Sequence, residues 1–173
     1  MPTIFSHLAI PIAIALSARR ISRRLLVAGM VASIVPDLDT IGFRFGVTYA
    51  SEFGHRGFTH SLVFALILAI FAALFAPELR TKRMTTFIFI FCATASHGLL
   101  DMFTNGGLGI ALFWPFTDAR YFFPIRMIEV SPIGLRGFLG PAGIGALKSE
   151  MLWVWIPALI LGLAAYLRRM RGR

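Results

Sequence analysis

Two apolar stretches near the middle of the chain, Ser61 to Leu79 and Met84 to Phe103, are each about as long as a helix must be to cross roughly 30 Å of hydrocarbon. A third, Met151 to Leu167, carries no charge inside it and ends in Arg168, Arg169, Arg171 and Arg173. Two shorter runs, Ile4 to Ala18 and Leu25 to Val35, fit a bilayer if they tilt or thin it locally. The composition agrees: 57% of residues are hydrophobic and 14% charged, where a soluble domain carries about 25% charged. The 173 residues are enough for one domain. The expected fold is an all-α, multi-pass membrane helical bundle of about five segments: 4–18, 25–36, 61–79, 84–103 and 151–167. A Gly- and Pro-rich outer loop over 104–150 is expected, and the whole of 1–173 forms one integral-membrane domain.

A net charge of +9 would suggest nucleic acid in a soluble chain, but the placement of the charges assigns them elsewhere. Eleven of the 17 basic residues fall in three clusters: Arg19, Arg20, Arg23 and Arg24; Arg80, Lys82 and Arg83; and the four C-terminal arginines. An alternating five-segment path puts all three on one side, and Lys and Arg concentrate on the cytoplasmic side of span ends. The expected topology is N-terminus out and C-terminus in, with no nucleic-acid partner. Positive charge follows the first apolar run rather than preceding it, so that run is expected to stay in the mature protein. Arg44, Arg56, Arg120, Arg126, Arg136 and Lys148 lie in the outer connections. Arg120 and Arg126, near Trp114 and Tyr121, read as interfacial anchors. The glycines at 134, 137, 140 and 143 read as a surface loop, and the lone Cys92 as packing with no disulfide partner.

All four histidines and three of the four aspartates fall in four short motifs. These are Ser6-His7; Pro36-Asp37-Leu38-Asp39; Gly54-His55-Arg56-Gly57-Phe58-Thr59-His60-Ser61; and Ser96-His97 with Asp101. The topology brings all seven to the outer ends of their segments. His97 and Asp101 are four apart, so on a helix they project from one face, one turn from each other. Ionisable groups at membrane depth are functional candidates by default. Pro36 restricts Val35 to an extended or turn geometry, from which Asp37 and Asp39 can approach one cation, or one can bind while the other handles a proton. His55 and His60 do not share a helix face; a loop entering a helix capped by Thr59 would turn both rings inward. Arg56 between them suits an anionic oxygen such as phosphate, or else a structural ion pair with Glu52 or an aspartate.

In this order the motifs resemble the YdjM family of bacterial inner-membrane proteins. The matching pieces also include Trp114-Pro115 and Phe123-Pro124-Ile125, and extend over roughly the first 130 residues; the run from Gly54 to Leu62 is the specific one. The resemblance implies a metal-dependent hydrolase, distantly similar to the all-helical zinc phospholipase C and single-strand nuclease superfamily. It implies metal-ligand candidacy for His7, Asp37, Asp39, His55, His60, His97 and Asp101. No histidine follows position 97, so the second histidine-acid helical pair of those enzymes is missing, and one or two ions are expected rather than three.

The expected function is therefore hydrolysis of a phosphate ester, such as a phospholipid headgroup, by metal-activated water. Zn²⁺ is the expected ion, with Mn²⁺ or Fe²⁺ as alternatives, and Asp37, Asp39 and Arg56 are the catalytic candidates. The competing reading is a metal-stabilised membrane scaffold or partner-binding regulatory protein. A metal transporter would hold its ligands near the bilayer midplane, whereas these gather towards one end.

Overall fold

The computed structural model describes residues 1–18, 20–132 and 135–171. Arg19, Gly134 and Arg173, which entered the basic clusters and the glycine repeat, lie outside the described residues. The elements are α1 (Ile4–His7), α2 (Ala9–Ser17), α3 (Arg23–Ala32), a 3-10 stretch Val35–Phe45, a 3-10 turn Phe58–His60, α4 (Leu62–Leu74), α5 (Arg83–Met102), α6 (Leu135–Phe138), α7 (Pro141–Glu150), a π-helical turn Met151–Trp155, and α8 (Ile156–Arg171). Among the described residues there is no strand, only the isolated bridges Thr104 to Ile128 and Ile110 to Tyr121. Among the described residues, three helical runs are long and apolar enough to cross a membrane: Arg23–Phe45, Arg83–Met102 and Pro141–Arg171. Ile4–Ser17 and Leu62–Leu74 are shorter apolar helices.

Several boundaries differ from the sequence expectation for local reasons. The run from Ser61 is helical only to Leu74, about 20 Å at 1.5 Å per residue. Turns follow, and Pro77 disfavours helical geometry at Ala76. Of the extended or turn geometries expected at Val35, the turn-like one forms: Val35 opens a 3-10 stretch that runs to Phe45 and stops at left-handed Gly46. The final span starts ten residues early, because Pro141 stands where a fixed φ suits the first helical turn. The stretch expected as loop to residue 150 is thus helical from Pro141. The first segment breaks at Leu8, where Pro11 has no N–H to offer the carbonyl of His7. Ser61, not Thr59, caps α4, its Oγ accepting from Phe64 N at 3.1 Å.

The central helix is α5. One buried cluster joins Phe89 and Ile90 to Leu25 and Ala32 of α3 and Ala69 of α4. Another packs Ala9 of α2 against Val154, Ala158 of α8 and Ile128. Small residues take part in these seams, Ala32, Ala69, Ala9 and Ala158 within the clusters and Gly162 against Ala13, as they do where membrane helices approach closely. The large apolar side chains turn outward: Ile67, Ile70, Phe71 and Leu74 on α4, and Ile160, Leu161 and Leu163 on α8, are exposed. A bilayer would cover such a surface.

Gly98 sets the distance between α5 and the 58–60 turn. A Cβ there would lie 2.7 Å from the His60 carbonyl oxygen and 2.9 Å from Ile110 Cδ1. Gly98→Ala is expected to cost about 1–3 kcal/mol through overpacking. Gly140→Ala, whose Cβ meets nothing nearer than 3.4 Å, should stay within about 0.5 kcal/mol. Thermal unfolding of both variants in one detergent checks the contrast.

Candidate metal centre

His97 and Asp101 sit one turn apart on α5, both fully buried. The break at Leu8 ends α1 at His7, whose ring stacks on that of His97 with centroids 3.7 Å apart. The first turn of the 3-10 stretch brings in Asp37, and the 58–60 turn brings in His60. The result is a compact inner set. His97 Nε2 lies 3.0 Å from His60 Nε2 and 3.4 Å from Asp37 Oδ1. His60 Nε2 lies 3.5 Å from Asp101 Oδ2, and His7 Nε2 lies 3.9 Å from both Asp37 Oδ2 and Asp101 Oδ1. Three groups of three could hold a metal ion: His7, Asp37 and His97; His60, His97 and Asp101; and Asp37, His55 and His60, among the described residues.

The surrounding groups orient the imidazoles. His97 Nδ1 is 2.8 Å from the Ser33 carbonyl oxygen, so it carries the proton and leaves Nε2 as a bare lone pair. His60 Nδ1 faces Asp39 Oδ2 at 3.4 Å, the carboxylate–histidine arrangement typical behind a metal ligand. Asp39 is held in turn by His55 Nδ1 at 2.7 Å and by the Thr59 hydroxyl, which donates at 2.6 Å. Asp37 and Asp39 therefore do not share one role: Asp37 faces the inner imidazoles, and Asp39 stands behind them with His55.

The inner atoms fit a cation. Both oxygens of Asp37, both of Asp101 and both ring nitrogens of His7 are buried without a hydrogen-bond partner, a state that costs free energy unless something else satisfies them. Asp37, Asp39 and Asp101 set against Arg56 leave two negative charges, which one divalent ion balances. Burial opposes charge on His60, but its contacts with Asp101 and Asp39 outweigh that and lift the imidazole from 6.5 to about 9. Without a metal, the carboxylates draw a proton onto this ring.

Arg56 is fully buried, with a left-handed φ of 68°. Its Nε lies 3.1 Å from Asp101 Oδ2. Its Nη1 donates to the Gly106 and Leu108 carbonyls, and its Nη2 to Thr104 Oγ1. The aspartate ion pair, not Glu52, is thus its partner; Glu52 instead accepts from Trp114 Nε1. Arg120 does not act as a free interfacial anchor. It donates to the carbonyls of Ala50, Ser51, His55 and Gly109, tying the loop that carries His55 to the loop after α5. Arg126 lies over the Phe122 ring at 4.0 Å.

Sequence reasoning missed Glu150. Its buried carboxylate accepts from Thr3 N, Thr3 Oγ1 and Ser6 Oγ, fixing the segment that presents His7. The available signal was an isolated carboxylate at the threshold of an apolar run.

The family described as YdjM inner membrane protein matches residues 1–172. A curated relative, inner membrane protein YbcI of Escherichia coli (strain K12), is 40% identical over 164 residues, covering 93% of this chain and 95% of that protein. The uncharacterized protein YvsG of Bacillus subtilis (strain 168) is 35% identical over 97 residues, covering 52% of this chain and 56% of that one. No solved structure matches the chain.

Elemental analysis of detergent-purified protein is expected to find one or two equivalents of zinc, manganese or iron, falling in both His97→Ala and Asp101→Ala. Because uptake must displace the His60 proton, affinity should drop by up to ~tenfold per pH unit below about 9 from this group alone. Calorimetric titration in buffers of different ionisation enthalpy would register the released proton.

Proposed function

This chain belongs to the YdjM family of inner membrane proteins, and we propose that it is a metal-dependent hydrolase of phosphate esters, with a phospholipid headgroup as the substrate its membrane setting favours. The observation that carries the reading is the inner set of three imidazoles and two carboxylates, with oxygens on Asp37 and Asp101 that are buried and accept no hydrogen bond. A closed structural zinc site uses four ligands. Five inner donors, with Asp39 and His55 behind them, exceed that need.

A divalent ion held there, zinc by its affinity for imidazole and carboxylate, with manganese or iron as the alternatives, would bring the pKa of a water near neutrality and polarise a phosphoryl oxygen. The chain's own residues divide the remaining work. His7, His60 and His97 through their Nε2 atoms, and Asp101 through a carboxylate oxygen, would hold the ion. Asp37, facing all three rings, would contribute to a second ion or accept a proton from water. Asp39 keeps His60 in the tautomer that frees Nε2, and His55 serves a second ion or supports Asp39. Arg56 works through Asp101: it offsets that carboxylate's charge and fixes its position, so its effect on phosphoryl charge is indirect. We further propose that the centre lies towards the outer face, opposite the basic clusters.

The scaffold reading retains one observation in its favour: His7, His97 and Asp101 are 0% exposed and Asp37 only 5%, as in a closed structural site. Turnover separates the two. Metal-loaded protein in mixed micelles, assayed with a chromogenic phosphodiester and with phosphatidylglycerol, should hydrolyse at least one. Asp37→Asn should lower kcat by about 100-fold or more while retaining metal. Bound metal with no turnover on either substrate would favour the scaffold.

A further inference from the structure

At the end of α5 away from His97 and Asp101, about 27 Å along the helix at 1.5 Å per residue, the chain forms a second polar site. The loop before α3 and the loop before α5 enclose an open cleft of about 620 Å³, within the roughly 300–1,000 Å³ of small-molecule sites. The two loops are pinned together: Ser22 Oγ donates to the Leu79 carbonyl, and Arg24 Nη1 donates to the Glu78 carbonyl at 2.9 Å.

Arg20, Arg80 and Lys82 line the cleft, and no acidic side chain does. Among the described residues none of the three takes part in an ion pair. Neither α3 nor α5 has an acidic residue in its first turn, and no side chain caps the N-terminus of α5. Thr85, in that first turn, also borders the cleft. The positive end of a 20-residue helix therefore adds to three cationic side chains. Basic residues that only set membrane orientation need no cleft; here they line one. Ile21 and Pro77 supply an apolar wall.

We propose that this cleft binds a phosphate group, its oxygens taken by Arg20, Arg80 and Lys82 and its substituent lying against Ile21 and Pro77. Guanidinium forks match phosphate geometry. The same chemistry would take an anionic phospholipid headgroup or a free phosphate, and this site is independent of the metal centre.

The test is native mass spectrometry of the full chain in neutral detergent, with inorganic phosphate and with phosphatidylglycerol added separately, and phosphatidylcholine as the control lipid. One equivalent of either anion should be retained. Arg20→Gln/Arg80→Gln should weaken retention at least tenfold, while the charge-matched Arg168→Gln/Arg171→Gln should change it less than twofold. Retention of phosphatidylglycerol alone assigns the site to a headgroup; retention of inorganic phosphate assigns it to a free anion. Equal loss in both double variants would mean a diffuse basic surface and overturn the proposal, as would no retention of either anion. Binding that survives in Arg20→Gln/Arg80→Gln but disappears in His97→Ala belongs to the metal centre and also overturns it.

Discussion

Two carboxylates, Asp37 and Asp101, face three imidazoles in a space with almost no exposure to solvent, and the rest of the architecture follows from keeping them there. An unpaired buried carboxylate costs several kcal/mol even after relaxation. The chain offsets part of that with Arg56, whose Nε stands 3.1 Å from Asp101. What remains is negative charge surrounded by nitrogen lone pairs, the electrostatic description of a cation site. Four separate elements deliver its donors: α1, the 3-10 stretch from Val35, the 58–60 turn and α5. A cation at their junction would tie the helix ends together as well as support chemistry.

The loops around the centre are fastened by Arg56, which also reaches Asp101, and by Arg120 and Glu150, which stand outside it. Arg56 and Arg120 lace the 50–57 and 104–110 loops from opposite directions, each donating to backbone carbonyls of the segment it reaches. Gly107, at φ 79°, leaves room for the Arg56 guanidinium that a Cβ would approach at 3.1 Å. Glu150 does the same on the other side, holding Thr3 and Ser6 and so fixing the backbone that carries His7. The geometry of the candidate ligands thus depends on residues of α7 and of the loop after α5.

The all-helical class, the apolar runs and the identity of the His/Asp motifs were legible because each is local: a run of apolar side chains, or a pair four residues apart on one helix. The His97–Asp101 pairing needed only the helical repeat. The different places of Asp37 and Asp39 were partly legible: separate roles were one of the expected options, but which carboxylate faces the inner imidazoles depends on how the 3-10 stretch turns. The partners of Arg56 were half legible: an aspartate was one of the expected options, but choosing Asp101 over Glu52 needed the folded loop. Span lengths were read least well. Hydropathy does not mark the turn near Pro77, and the glycines around Pro141 look like loop until that proline starts a helix. Arg120 and Glu150 act through non-local carbonyls and hydroxyls that no spacing in the chain reveals.

We propose that the inner imidazoles and carboxylates together hold a metal ion. X-ray absorption of the zinc-loaded protein tests it most directly, because imidazole rings leave a distinctive multiple-scattering signature. The account predicts three imidazole nitrogens together with carboxylate oxygens, all at about 2.0–2.2 Å. A shell with one imidazole or none, or one that includes the Cys92 sulfur at about 2.3 Å, would contradict it.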